Sequence, residues 1–353
     1  MASIKSVCIK GLKIGGGAPV RVESMLKTRL EDTSGCICEC ESLLKAGCEL
    51  ARVALPDESL ASALAELVKN TALPLMADIH FNHKTALAAL SAGVPAIRIN
   101  PGNMSGSAAL AEVIAAAKDK GAVIRIGANG GSLNNAQLAA AKGDRGAALA
   151  AAVEEQLCVL LENGFEDMII SAKSSSIAET LRADALLSEK YPFPLHIGIT
   201  EAGCGNPGIV KSAAGIALML SQGIGDTLRV SLTGSAVEEV ETGYNILSAL
   251  MLRHRGWQLI SCPGCGRRRI EVAELVGKLR SIVPADACAG MTIAVMGCEV
   301  NGPKEASHAD LGFAGSPGGF IFFRKGSFVC RGTMETFEET VRREILKAEL
   351  QQL

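Results

Sequence analysis

The sequence has almost no net charge and no long apolar run. Its 35 Lys and Arg nearly cancel 37 Asp and Glu, leaving −2. Without an excess of one sign there is no global electrostatic case for nucleic acid or a membrane surface. Affinity for an anion must therefore come from cations placed locally. No stretch of about 18 apolar residues occurs, which excludes a transmembrane helix by length. The first residues, MASIKSVCIKGLKIGGG, contain no apolar segment of signal-peptide length. The chain is read as cytoplasmic, and a reducing compartment argues against a disulfide framework for its 12 cysteines. Cys8, Cys48 and Cys158 read as small core residues. Cys36, Cys38 and Cys40 fall in a predicted helix where i, i+2 and i+4 do not share one face, so they are not read as a metal site.

At 353 residues the chain is long for one domain and sufficient for two. Up to about residue 250 one theme recurs: a short apolar run with polar residues at its end, then an Ala/Leu-rich helical stretch. The runs are 20–24, 50–55, 73–79, 96–100, 122–128, 167–173, 195–200 and 227–232. Strand–helix alternation implies right-handed crossovers and a parallel sheet. Eight such units in this length suit an N-terminal (β/α)8 TIM-type barrel better than the alternative, a doubly wound sheet. Gly15–Gly17 precede the first unit and read as a turn, not a nucleotide loop.

The pattern changes after the basic stretch Arg253–Arg255. The order becomes strand, SCPGCGR, helix, strand, a loop from Glu299 to Gly312, a hairpin and a final helix. The division is thus a barrel over 1–252 and a small α+β domain over 253–353.

The reactive face of such a barrel lies where its strands end. Those ends carry Arg52, Asp78, His80, Arg98, Asn100, Arg125, Asn129, Lys173, Glu201, Arg229 and Ser231. Residues two apart, as in Asp78/His80, Arg98/Asn100 and Arg229/Ser231, share a strand face. Five cations from five strands would repel one another unless an anion occupies the mouth. Arg offers paired donors to phosphate oxygens and Lys a point charge. A substrate with more than one negative charge, a phosphate or diphosphate, follows. Asp78, His80 and Glu201 are the titratable groups placed to move protons.

In the second domain, Cys262-Pro-Gly-Cys265 follows one strand and Cys298 ends another. A CxxC pair alone is ambiguous between zinc, a redox dithiol and iron–sulfur. A zinc ribbon wants a second pair, and Cys298 has no such neighbour, although His308 lies ten residues on. Three thiolates suit a cubane cluster with one distinctive iron, open to an oxygen ligand from Glu299 or Glu305. Cys288 and Cys330 remain spare. Two rivals keep zinc: a phosphate-ligand-binding barrel with a structural zinc module, and a pterin- or phosphate-binding transferase barrel with an inert zinc tail.

ADIHF (77–81), RINPGN (98–103), IRIGANGGSL (124–133), GITEAG (198–203), GIGDTLRVSL (223–232), SCPGCGR (261–267) and GCEVNGP (297–303) together resemble the 4-hydroxy-3-methylbut-2-enyl diphosphate synthase family. The match runs in order from about residue 11 to about 330. The resemblance implies an oxidoreductase of the methylerythritol phosphate route that opens 2-C-methyl-D-erythritol 2,4-cyclodiphosphate with two electrons and loss of water. It implies a [4Fe–4S] cluster, a ferredoxin or flavodoxin donor, and a homodimer sharing its active sites between subunits. By motif, Cys262, Cys265 and Cys298 resemble the cluster thiolates and Glu305 the fourth, displaceable ligand. Arg52, Arg98, Arg125, Asn129, Lys173 and Ser231 resemble the diphosphate grip. Asp78, His80, Asn100 and Glu201 resemble the groups around the carbon skeleton, with Glu201 the proton source. The family loop reads Asn-Gly-Pro-Gly-Glu, whereas this chain has Lys304 before Glu305. If that position needs φ > 0, lysine would be strained there.

Overall fold

A computed structural model of the chain describes residues 3–79, 82–100, 107–299 and 302–346. It divides into two compact units, Met1–Leu252 and Arg253–Leu353.

The first unit opens with a hairpin, β1 (Ser6–Ile9) and β2 (Leu12–Gly15). Gly15, Gly16 and Gly17 then turn the chain at φ 79°, 58° and 79°, a region that favours glycine. Eight parallel strands follow: β3 (Arg21–Met25), β4 (Leu50–Ala54), β5 (Leu75–Asp78), β6 (Ala96–Ile99), β7 (Val123–Asn129), β8 (Met168–Lys173), β9 (His196–Ile197) and β10 (Thr227–Leu228). They pair in the order β8-β7-β6-β5-β4-β3-β10-β9. A parallel bridge between Ile170 and Leu195 joins β8 to β9. This is the expected TIM-type barrel. Helices α1 (Thr33–Ala46), α2 (Ala61–Asn70), α3 (His83–Ser91), α4 (Ser107–Lys120), α5 (Asn135–Ala140), α6 (Arg145–Glu162), α7 (Ile177–Lys190), α8 (Gly205–Ser221) and α9 (Ala236–Ala249) lie between the strands in sequence. Their starts are fixed by polar side chains: Asp32, Asn82, Asp144, Ser176 and Ser235 each accept a backbone N–H of the first turn.

Strand alternation sorts the residues. Val22, Ala51, Val53, Ala77, Ile97, Ile124 and Ile170 belong to the large core that includes the helices. Leu50, Met76, Ala96, Val123 and Ile169 form a separate cluster with Val7, Ile9 and Ile14 of the hairpin. That inner cluster is the barrel floor. Two residues beyond Leu50, Met76, Ala96 and Val123, on the same inward face, stand Arg52, Asp78, Arg98 and Arg125. Lys173 stands four beyond Ile169. The period that buries the floor thus aims the charges at the mouth.

Three expectations need correction. β9 and β10 stop well short of the apolar runs 195–200 and 227–232. At Gly198 the backbone passes so close to Arg229 O that no Cβ would fit, and regular pairing ends. Cys8 and Cys158 are exposed, on the outward faces of β1 and α6, whereas Cys48 is buried. In α1, Cys36 and Cys40 face the core and Cys38 faces solvent. Burial pushes both core thiols up to about 11, which suits packing rather than ligation.

The second unit is a five-stranded sheet, β11 (Gln258–Ser261), β12 (Thr292–Met296), β13 (Leu311–Ser316), β14 (Gly319–Arg324) and β15 (Ser327–Gly332), in that order. The first three strands are parallel and the last three antiparallel. Helix α10 (Val272–Ile282) connects β11 to β12. The short α11 (Gly302–Glu305) follows β12, and α12 (Phe337–Val341) follows β15. The third correction is β13, whose first residues, Leu311 and Gly312, fall in the expected loop but are strand. Its sequence LGFAGS hides it, because glycine is poor strand former. A Cβ at Gly312 would fall on the Phe323 ring, so the strand needs glycine to accept the aromatic side chain packed over it.

Candidate active site

At the barrel mouth, each predicted cation sits on a buried or half-buried anion or acceptor. Asp78, buried, lies 3.4 Å from Arg98 Nη1 and 3.5 Å from Arg52 Nε. Arg125 Nη1 donates to Glu23 Oε2 at 2.5 Å, with both residues essentially inaccessible. Arg229 reaches Glu239 at 3.4 Å, and Glu239 also accepts from Ser24 Oγ at 2.9 Å and Leu232 N at 3.1 Å. Arg52 Nη2 and Arg229 Nη1 share the thioether of Met25, at 3.0 and 3.7 Å. A thioether is a weak acceptor for a guanidinium.

Lys173 Nζ lies 2.7 Å from His196 Nε2, and His196 Nδ1 lies 2.6 Å from Thr227 Oγ1. With Lys173 protonated, Nε2 accepts and the ring proton sits on Nδ1. That nitrogen is also 3.7 Å from Glu23 Oε2. Burial, then the charge of Arg125, holds the Lys173 ammonium well below its ordinary range. Burial, then Lys173, does the same to His196, which is neutral in this setting. Burial, partly offset by Asp78, pushes Arg52 down to about 10, still charged at neutral pH.

Four arginines, with Lys173 beside them, come from five strands and face three buried carboxylates, Glu23, Asp78 and Glu239, which the arginines alone outnumber. The surplus is positive. Arg125 Nη2 is buried without a hydrogen-bond partner among the described residues, and Arg52 Nε has only the 3.5 Å approach of Asp78. Such donors are costly to leave unmet, and an anion oxygen is the partner that suits them.

Beside this cluster, a cleft of about 470 Å³ is lined by residues that include Asn129, Ser132, Arg145, Ser174, Glu179 and Glu201. Glu201 is exposed and holds φ 51°, an uncommon conformation for a side-chain-bearing residue. Asn100 and Ser231 are half-buried. His80 lies outside the described residues.

In the second unit, the ends of β11 and β12 are tied together. Gly297 N donates to Cys262 Sγ at 3.1 Å, and Arg269 N donates to Gly297 O at 2.7 Å. Gly302 N, at the start of α11, donates to Cys298 O at 3.2 Å. These bonds bring the CxxC loop and the Glu305 turn onto the Gly297–Cys298 strand end. Cys262 and Cys298 are half-buried and Cys265 exposed, unlike the core thiols of Cys36, Cys40, Cys48 and Cys288. The Arg267 backbone N–H, then its guanidinium, lowers the Cys265 thiol from its ordinary value. Glu305 is close enough to oppose that shift. Among the described residues no three His, Cys, Asp or Glu side chains stand close enough to hold a single metal ion. A cubane holds its ligands farther apart than one ion does, and thiolates at joined strand ends fit that donor chemistry. Lys304 is exposed within a helical turn and is not at positive φ, so the expected strain at this position does not arise.

Comparison with known proteins matches residues 4–244 to the GcpE TIM-barrel domain and residues 258–347 to the GcpE protein C-terminal domain. The chain belongs to the GcpE family. A relative from Maridesulfovibrio salexigens, named 4-hydroxy-3-methylbut-2-en-1-yl diphosphate synthase (flavodoxin), is 44% identical over 92% of this chain and 90% of its own. One of the same name from Thermodesulfovibrio yellowstonii is 43% identical over 95% of each chain. Another, from Geobacter sulfurreducens, is 42% identical over 93% of each. This GcpE-family chain is an oxidoreductase of isoprenoid-precursor biosynthesis whose reaction forms 4-hydroxy-3-methylbut-2-enyl diphosphate. The family uses an iron–sulfur cluster.

Sequence reasoning placed the cations and missed their counter-charges. Glu23, His196 and Glu239 were not singled out, although Glu23 lies two residues after Arg21 on the inward face of β3. Glu239 comes from α9, behind the strands, and no spacing in the sequence points to it.

Proposed function

We propose that residues 1–252 bind 2-C-methyl-D-erythritol 2,4-cyclodiphosphate and residues 253–353 hold a [4Fe–4S] cluster that delivers electrons to it. The carrying observation is the charge count at the mouth: four arginines, with Lys173 beside them, against three buried carboxylates. A cyclic diphosphate, with one ionised oxygen on each phosphorus, is matched to that surplus.

Arg52, Arg98, Arg125, Lys173 and Arg229 bind the diphosphate oxygens, and Asn129 and Ser231 add neutral donors. Asp78, with His80 and Asn100, orients the hydroxylated carbon skeleton. Glu201, exposed to the cleft it shares with Asn129, delivers a proton to the departing hydroxyl. Cys262, Cys265 and Cys298 would hold the cluster through sulfur and Glu305 through a carboxylate oxygen. A bound cluster would supply two electrons, one at a time. The overall change takes up two electrons and a proton, opens the ring at carbon–oxygen, and releases the hydroxyl as water. The electron donor is flavodoxin, which the relatives' names carry, or a ferredoxin. The chain works in the cytoplasm as a homodimer, one subunit's cluster unit serving the other's barrel. No helix among the described residues is long and apolar enough to cross a membrane.

The test is anaerobic reconstitution followed by metal analysis, a visible spectrum and turnover of the cyclodiphosphate with dithionite. The expected protein is brown, with about four irons per chain, and forms the allylic diphosphate. A colourless protein with one zinc per chain and no turnover would replace this reading with a phosphate-binding barrel carrying a structural zinc module.

A further inference from the structure

The C-terminal unit carries charge unlike the barrel. Residues 253–353 hold 14 Lys and Arg against 11 Asp and Glu, whereas residues 1–252 hold 21 against 26. Among the exposed cations of this unit, Arg268, Lys278, Arg324, Arg342 and Arg343 each have a carboxylate within 2.9 Å, whereas Arg267, Arg269 and Arg280 form no ion pair among the described residues. Lys304, Lys325 and Arg331 are exposed and form no ion pair among the described residues.

Lys325 and Arg331 bracket an apolar spot along the chain, and Lys304 belongs to the turn against which Gly326 packs. Phe328 is 60% exposed and Val329 41% exposed, both on β15, the edge strand of the sheet. A register shift opposite Phe322 and Phe323 leaves Val329 as a bulge. Phe328 pairs with Phe323 and so shares its sheet face. Phe323 shares a core cluster with Met296 and Ala306, against which the half-buried Cys262 packs as it also does against the cluster on the other face. The β14–β15 turn also lies against the Glu305 turn. A Cβ on Gly326 would sit 3.1 Å from Ser307 Cβ and 3.2 Å from Pro303 O. Through Ile321 and Ala314, Arg331 is in register with Met296, two residues before Cys298. Three strand spacings separate them, about 14 Å.

We propose that Lys304, Lys325, Phe328 and Arg331 form the docking surface for an acidic, flavodoxin-type electron carrier. The inference rests on the reading above that this unit holds the cluster. An exposed aromatic flanked by unpaired cations is the form such a surface takes: the aromatic side chain supplies contact area and the cations steer an acidic partner. Each docking transfers one electron, taking the carrier's flavin from hydroquinone to semiquinone, and two dockings supply the two electrons of one product. Lys304, where the family loop has glycine, adds its charge at the edge of this surface.

The test uses the full-length, anaerobically reconstituted holoenzyme and the variants Lys325→Glu, Phe328→Ser and Arg331→Glu, singly and combined. Binding of an oxidised, acidic bacterial flavodoxin is measured directly. Turnover is measured with reduced flavodoxin and, separately, with dithionite and methyl viologen. In the combined variant, flavodoxin Kd and KM rise about tenfold and their salt dependence flattens. The rate with the small reductant stays unchanged. An unaltered flavodoxin Kd overturns the proposal. So does an equal fall in both rates, or a change in oligomeric mass, which would assign the surface to a second copy of the chain. A wild-type protein inactive with dithionite would instead refute the functional reading, while the comparison of Kd values still decides the docking surface.

Discussion

Glu23→Gln should weaken the free protein and strengthen its hold on a diphosphate. Glu23 is fully buried, accepts from Arg125 at 2.5 Å and lies 3.7 Å from His196. Removing one partner of a buried pair costs about 3–5 kcal/mol. Glutamine keeps the shape and one acceptor for Arg125, so the lower figure applies, about 3 kcal/mol. For a unit of about 250 residues this lowers Tm by about 6–12 °C. The charge lost from the floor is also one that repels the substrate. One additional uncompensated positive charge about 5 Å from an anion is worth about 3 kcal/mol at an effective dielectric of ~20. If desolvation and screening leave about 1.4 kcal/mol of that, affinity for inorganic pyrophosphate or substrate rises about tenfold. The assay is thermal unfolding of wild type and variant with and without pyrophosphate. The variant should melt lower alone and gain more on adding the ligand. A wild-type Tm, or a ligand-induced gain no larger than that of wild type, would refute the view that Glu23 offsets a grip built for anions.

His196 should make stability fall on mild acidification. Its folded pKa is held well below the ordinary 6.5 by burial and Lys173, so between those values the unfolded chain binds a proton that the folded one refuses. Stability is thus lost as pH drops below about 6.5, and His196→Gln should flatten that part of a Tm-against-pH curve. A slope equal to that of wild type would show the histidine already charged in the fold. Mixing Cys298→Ser with Glu201→Ala, each inactive alone, should restore activity in exchanged dimers if one subunit's cluster unit serves the other's barrel. No recovery under demonstrated exchange would place both parts in one chain. Gly312→Ala should destabilise the C-terminal unit by about 1–3 kcal/mol through overpacking against Phe323. Loss of iron on heating at a lower temperature than wild type is the measurement, and unchanged retention would mean the ring can move aside.

The barrel and its cations were legible because both are periodic. A floor residue such as Val123 and a mouth residue such as Arg125 are two apart on one strand face, so the alternation that signals the strand also locates the charge. The counter-charges are not periodic with the cations they serve. Glu239 belongs to α9 and reaches Arg229 only after the helix has packed on the strands. His196 reads as one residue of an apolar run, and only closure of β8 beside β9 sets it against Lys173. The same holds in the second unit. Cys262 and Cys265 announce themselves by spacing, but β13 does not, because the glycines it needs, Gly312 under Phe323 and Gly315 against Gly297 O, are the residues that argue against a strand. Local pattern reports which groups an element presents. The surplus of positive charge that selects an anion is a property of several elements after closure, and no window of the sequence contains it.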